Sequence, residues 1–280
     1  MFYSKIKHKS SNFLVAYCIF VKPVCTVAKS VLRGYFIVMK IIAHRGASFI
    51  APENTLSAFR MGIEEGADGI ELDVRLTSDG RIIALHDVTT ARTTDKLFRA
   101  DETPFWLLET CDAGSWKSSK FSGERIPSLD EVLDFMPENR DIFIEIKCGT
   151  EIIPFLSELL HTYSRHVDNV VIFGFGYEVA AEAKKRLPEY KTLWIGEFGY
   201  NIQIENGMYD HAEKMVRRAN LDGFSTRADT VHVPVMRERL KDLHLNVWTV
   251  DSITEALFYQ EAGVDSLTTN HPERIIDIVF

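Results

Sequence analysis

The feature that most constrains this chain is an alternation that begins near residue 40 and runs to its end. A short run rich in β-formers is followed by an amphipathic stretch, then by Gly or Asp, then by another such run. The runs fall at 41–44, 69–74, 142–146, 170–173, 192–195, 222–225, 246–250 and 265–269. Helical patterns lie between most of them. After Asn54-Thr55, the residues Leu56, Phe59 and Ile63 share one face, and Ser128-x-x-Glu131 and Ser252-x-x-Glu255 read as capping boxes. Pro188 and Gly263 stand where helices should stop. Ala67-Asp68-Gly69, Leu221-Asp222-Gly223 and Val264-Asp265-Ser266 share one form and predict a recurring turn from helix into strand. Strands that alternate with helices pair in parallel, and eight of them predict an α/β fold, a (β/α)8 TIM barrel.

Two segments interrupt the pattern. Ser78-Asp79-Gly80 is a tight-turn signal, so residues 81–86 should fold back on the second strand as a hairpin. Residues 87–125 have no clear period and are too long for an ordinary loop, which predicts a small insertion over one barrel end. The barrel domain is then 39–280, with that insertion inside it.

Residues 1–38 differ from the rest. They carry Lys5, Lys7, Lys9, Lys22, Lys29 and Arg33 and no acidic residue. The uncharged run Phe13–Val21 would reach about 14 Å as a helix, half a bilayer core, so a spanning helix is not expected. Three readings stand: an over-long start ahead of Met39, with a cytoplasmic enzyme; a leader or membrane-surface segment, with a secreted or membrane-associated one; or an ordered extra element. The remainder holds 26 basic against 40 acidic residues, which argues against nucleic acid as a partner. Four cysteines, two of them (Cys18 and Cys25) in the extension, exclude a disulfide scaffold.

Side chains at i and i+2 of a strand share a face. Ile70, Leu72 and Val74 face one way and Glu71 and Asp73 the other; Ile142, Ile144 and Ile146 oppose Phe143, Glu145 and Lys147. The aliphatic faces suit packing against helices, so the three carboxylates point into the barrel. There they repel unless a cation sits among them. A hard divalent cation, Mg²⁺ or Ca²⁺, suits such oxygen ligands; salt bridging of Glu145 or Asp73 by Lys147 or Arg75 is the alternative. His44-Arg45-Gly46 closes the first strand and His86-Asp87 the hairpin, which brings His86 beside Asp73. Two histidines, three carboxylates and Arg45 make a site able to hold a metal, clamp an anion and move protons. The other histidines lack such company and are read as surface or structural. No Walker loop, Gly-x-Ser-x-Gly or Rossmann fingerprint is present.

In order along the chain stand His44-Arg45-Gly46-Ala47, Pro52-Glu53-Asn54-Thr55, Glu71-Leu72-Asp73-Val74, Thr77-x-Asp79-Gly80, His86-Asp87, Asp112-Ala113-Gly114-Ser115-Trp116, Ile126-Pro127-Ser128-Leu129, Glu145-Ile146-Lys147 and Val247-Trp248-Thr249-Val250. Over roughly 40–275 the sequence thereby resembles the glycerophosphodiester phosphodiesterases. The resemblance implies a TIM barrel with a small insertion after the strand-two hairpin, and a metal-dependent hydrolase that releases sn-glycerol 3-phosphate and an alcohol from a small-molecule glycerophosphodiester. It implies His44 and His86 as acid/base catalysts, Glu71, Asp73 and Glu145 as ligands of one divalent cation, and Arg45 and Lys147 as phosphate contacts. Trp248 either walls the alcohol side or is an ordinary core aromatic. Two positions depart from the family pattern: Phe173-Gly174-Phe175 where Ser-Phe is usual, and Thr269-Asn270-His271-Pro272 where Thr-Asp-x-Pro is usual. Both are expected to bear on substrate preference more than on core chemistry. The rival readings are a lysophospholipase D-like or phosphoinositide-cleaving barrel and a non-catalytic metal- or anion-binding barrel.

Overall fold

The computed structural model describes residues 39–279; the expectations for residues 1–38 lie outside the described residues. Among the described residues nine strands form one sheet: β1 (Lys40–His44), β2 (Gly69–Leu76), β3 (Ile82–Ala84), β4 (Asp141–Ile146), β5 (Val170–Gly174), β6 (Lys191–Ile195), β7 (Gly223–Arg227), β8 (His244–Trp248) and β9 (Ser266–Thr269). All but β3 are parallel, and the ring closes because β1 pairs with both β2 and β9. This is the expected barrel. The eight predicted runs all become barrel strands, although β8 starts two residues earlier than its run. Around the ring lie α1 (Leu56–Glu64), α3 (Leu129–Phe135), α4 (Ile153–Thr162), α5 (Tyr177–Arg186), α6 (Met208–Arg218), α7 (His232–Arg239), α8 (Ile253–Glu261) and α9 (Pro272–Val279), while the short α2 (Phe105–Leu108) belongs to the insertion.

The recurring turn has a physical cause. The carboxylates of Asp68, Asp222 and Asp265 each accept from a backbone N–H at the start of a neighbouring strand: Ile41 at 2.9 Å, Thr192 at 2.7 Å and Leu245 at 2.7 Å. Each aspartate therefore satisfies an end-of-strand donor and sets the register of two strands. Gly69 follows the first of them because a Cβ there would lie 2.4 Å from the Asp141 carbonyl oxygen.

The aliphatic faces of β2 and β4 are buried against Phe59 of α1, Leu129, Val132 and Leu133 of α3, and Leu156 of α4. Thr55 caps α1 by accepting from the Ala58 N–H at 3.2 Å. Ser128 and Glu131 form the predicted capping box of α3. Ser252 stands at the N-cap of α8, but its hydroxyl makes no capping bond, so the second predicted box does not form. β3 runs antiparallel to β2 with Val74 opposite Ala84, and the Leu85 N–H donates to the Asp73 carbonyl at 3.0 Å. This delivers His86 to the barrel mouth. The insertion has a small core of its own, in which Ala100, Leu108, Cys111, Ala113 and Ile126 pack on Ile83 and Leu85.

Candidate active site

The site gathers at the C-terminal ends of β1, β2 and β4 and at the end of the hairpin. β1 ends in a turn that presents two side chains at once. Arg45 takes a left-handed conformation (φ 55°), and its N–H donates to Glu71 Oε2 at 2.9 Å. Such a backbone is costly for a residue with a Cβ and persists where its surroundings hold it. Gly46 follows because a Cβ would lie 2.4 Å from the Ala58 backbone. The Arg45 guanidinium is clamped, with Nη1 donating to Glu53 Oε1 at 2.7 Å and Nε 3.0 Å from Asp73 Oδ2. Asn54, also left-handed (φ 58°), donates to Asp73 Oδ2 at 2.8 Å and accepts from the Asp73 N–H at 3.1 Å.

Strand register brings the carboxylates together: His44 stands opposite Glu71 across β1 and β2, and Asp73 opposite Glu145 across β2 and β4. One oxygen from each of Glu71, Asp73 and Glu145 lies within 4.8 Å of the other two, and all three residues are buried. Glu71 Oε1, Asp73 Oδ1 and Glu145 Oε1 accept no hydrogen bond. Buried oxygens normally find donors; Glu71 Oε1 has none, and Asp73 Oδ1 and Glu145 Oε1 face only the Lys147 ammonium, so three buried carboxylates this close together fit a hard divalent cation. Lys147 is the nearest ammonium, ion-paired to Glu145 and 3.2 Å from Asp73 Oδ1. The salt bridge expected as the alternative is thus present, on two of these three oxygens. Arg75 does not share it, since its guanidinium donates to the His86 carbonyl at 2.9 and 2.7 Å.

The three carboxyls differ in acidity. Burial and the adjacent Asp73 and Glu145 push Glu71 well above the ordinary carboxylate range. Burial and Asp73 push Glu145 up to about 7, against the pull of Lys147. Asp73 is also buried, yet Arg45 and Lys147 hold it well below the ordinary range. Burial pulls Lys147 down, but Asp73 and Glu145 outweigh it and leave the ammonium harder to deprotonate.

The two histidines flank this cluster. His44 is lowered to about 4 by burial and then by Arg45; its Nε2 is 3.9 Å from Glu71 Oε2. His86 is lowered by burial against the opposing charge of Asp73, and its Nδ1 is 2.6 Å from Asp87 Oδ1. A cavity of about 210 Å³ opens between them, lined by His44, Arg45, Glu71, His86, Glu145 and Lys147 on one side and by Phe173, Phe175 and Trp248 on the other. Every predicted site residue except the fully buried Asp73 lines this cavity. Trp248 is half-buried: it lines the cavity, packs against the core cluster around Phe143 and Leu193, and meets Phe175 edge-on at 5.7 Å.

Sequence reasoning gave no role to several residues that hold this arrangement. Arg92 of the insertion donates to Glu53 at 2.7 and 2.9 Å and to Asp87 at 2.7 Å, so one side chain braces the partners of both Arg45 and His86. Asp251 holds Asn270, which in turn meets His44. At the second departure Asn270 Oδ1 is 2.7 Å from His44 Nδ1, so position 270 touches a predicted site residue directly. His244, expected as surface or structural, begins β8, and its Nε2 is 2.8 Å from Ser266 Oγ.

A closed barrel carrying two histidines and a carboxylate cluster at its C-terminal mouth has the architecture of a TIM-barrel enzyme. The profile of the glycerophosphoryl diester phosphodiesterase family matches residues 44–274, and the chain belongs to that family of phosphoric diester hydrolases. It is 33% identical over 246 residues to the glycerophosphodiester phosphodiesterase of Caldanaerobacter subterraneus subsp. tengcongensis, covering 85% of this chain and 97% of that one. It is 28% identical over 249 residues to the enzyme of the same name from Bacillus altitudinis, covering 85% and 97%. In fold it is similar to an Oleispira antarctica phosphodiesterase in complex with the product sn-glycerol 3-phosphate, at a TM-score of 0.75 and 24% identity, covering 86% of this chain and 97% of that one. An Agrobacterium tumefaciens glycerophosphodiester phosphodiesterase superposes at a TM-score of 0.73 with 23% identity, covering 86% and 100%.

Proposed function

We propose that this protein hydrolyses glycerophosphodiesters to sn-glycerol 3-phosphate and an alcohol, with one divalent cation, Mg²⁺ or Ca²⁺, held by Glu71, Asp73 and Glu145. The observation that carries the reading is the trio of buried carboxylates, with oxygens within 4.8 Å of one another, flanked by two histidines, Arg45 and Lys147. The product held by the Oleispira neighbour supports the choice of substrate.

A phosphodiester is an anion with a poor alkoxide leaving group. Its hydrolysis needs charge neutralisation, a nucleophile freed of its proton and a proton for the leaving oxygen. When bound, the cation supplies Lewis-acid stabilisation of the charge on the phosphoryl oxygens. Arg45 and Lys147 face the cavity and bind the phosphate; the Glu53 clamp and the carboxylates behind them fix where those charges sit. His44, held neutral by burial, takes the proton of the attacking hydroxyl, which belongs to water or to the substrate itself. His86 gives a proton to the departing alkoxide as the P–O bond breaks, with Asp87 holding its ring. Phe175 and Trp248 wall the apolar side of the cavity, where the alcohol leaves.

His44→Ala and His86→Ala test this assignment. Each should lower kcat on the order of 10²-fold or more with the fold retained. A double variant with near-normal turnover would remove both histidines from the reaction. Comparing water-soluble with acylated diesters separates this reading from a lysophospholipase D-like one.

A further inference from the structure

The contacts of Asn270 determine which nitrogen of His44 can act. Asn270 Nδ2 donates to Asp251 Oδ2 at 2.7 Å. The same Asp251 carboxylate, through Oδ1, accepts from the Asn270 N–H at 2.8 Å and from Thr269 Oγ1 at 3.0 Å. On its other edge, Asn270 Oδ1 accepts from Ser48 Oγ at 2.8 Å and lies 2.7 Å from His44 Nδ1. The reversed amide is disfavoured on simple grounds. It would set the Asn270 oxygen against the Asp251 carboxylate at hydrogen-bond distance, with no proton between two acceptors. The carboxylate thus fixes the amide, and the amide presents only an acceptor to the imidazole. A neutral imidazole carries one N–H. If Nδ1 must donate to Asn270 Oδ1, Nε2 carries the lone pair, and Nε2 is the nitrogen on the Glu71 side.

We infer that Asn270, oriented by Asp251, is a positioning residue that holds His44 in its Nδ1–H tautomer, so that Nε2 is the atom that receives a proton. The inference deepens the proposed role of His44 as base and rests on that role only for its catalytic consequence; the tautomer itself rests on the hydrogen bonds. The device is a three-part relay, Asp251 to Asn270 to His44, drawn from the loop after β8, the end of β9 and the end of β1. These are elements that the barrel closure brings side by side. A neutral amide at position 270 thus keeps a fixed direction, because the Asp251 carboxylate behind it holds the Nδ2 edge.

The experiment uses ¹⁵N-histidine-labelled full-length protein, with His44→Gln supplying the assignment, at a pH where His44 is neutral. The wild-type imidazole should show the Nδ1–H, Nε2-bare pattern of ¹⁵N shifts. Asp251→Asn combined with Asn270→Asp exchanges the amide and the carboxylate, keeps an acceptor at Nδ1 with a donor behind it, and should preserve that pattern. Asp251→Asn releases the amide to turn, and Asn270→Leu removes the acceptor; both should shift the ring toward the Nε2–H form. Asp251→Asn keeps the His44 contact group in place, so it remains informative should Asn270→Leu not fold. An Nε2–H tautomer in the wild type, or an unchanged tautomer in Asp251→Asn together with Asn270→Leu, overturns the inference. In turnover of glycerophosphocholine, Asp251→Asn should lower kcat about tenfold or more with KM little changed, and adding Asn270→Asp to it should recover most of that loss. If the tautomer shifts as stated but kcat does not fall, the relay stands and the role of His44 as base falls.

Discussion

Asp73 and Glu145 face each other across β2 and β4, yet only one of them is a ready anion. Arg45 and Lys147 keep Asp73 ionised, while burial beside that anion holds Glu145 near pH 7. The barrel therefore presents a permanent charge with two conditional ones around it, an arrangement that a divalent cation would complete. Glu71→Gln, Asp73→Asn and Glu145→Gln should each weaken metal binding at least tenfold in calorimetric titration. Unchanged affinity in all three would leave the cluster as a salt bridge to Lys147 and nothing more.

Much of this centre was legible in the sequence because strand periodicity is strict. A period of two places Glu71 and Asp73 on one face and Ile70, Leu72 and Val74 on the other wherever β2 lies, and a tight turn at Ser78-Asp79-Gly80 returns His86 to Asp73. What was not legible depends on side chains meeting across long sequence gaps. Arg92 lies 39 residues from Glu53, and Asn270 lies 226 from His44. No local period encodes such meetings. Asp87 was visible as a neighbour of His86, but its partner sits in the insertion, where the sequence has no repeating pattern to read.

Arg92 offers a test of how the insertion contributes. Its guanidinium spans Glu53 and Asp87, which hold Arg45 and His86. Arg92→Ala should lower kcat tenfold or more through misplacement of both groups, while metal affinity measured by calorimetry stays within a few-fold. Arg92→Lys, able to reach one carboxylate at a time, should fall between. Full activity in Arg92→Ala would show that the bridge is not needed to place either residue.

The pH dependence of stability should carry the mark of His244. Burial and then Lys191 push this imidazole down to about 4 from the usual 6.5; Asp265 opposes them, and Lys40 and Arg237 add to the lowering. Between those values the unfolded chain binds a proton that the folded one does not, so stability should fall as pH drops from about 6.5 to 4. His44, also lowered to about 4, acts in the same direction. Urea titrations across this range should give a shallower fall in His244→Asn, by up to one proton in slope. An identical slope would mean that His244 is protonated as easily in the barrel as in the unfolded chain.

The barrel closes through strands that all begin at or after Lys40, and Met39 is itself buried. A protein beginning at Met39 should therefore melt within a few degrees of the full chain and turn over soluble diesters at the same rate. Failure to fold would assign residues 1–38 a structural part. A change confined to sedimentation with anionic vesicles would match their six basic residues, each contributing about 1 kcal/mol near such a surface.

The most direct test of the account is the release of sn-glycerol 3-phosphate from glycerophosphocholine by the purified full chain. It should be measured with Mg²⁺, with Ca²⁺ and after exhaustive chelation. Release with at least one of the two cations, its loss on chelation and its return when the cation is restored is the predicted result. Undiminished release from the fully chelated protein would contradict a metal-dependent site built on Glu71, Asp73 and Glu145.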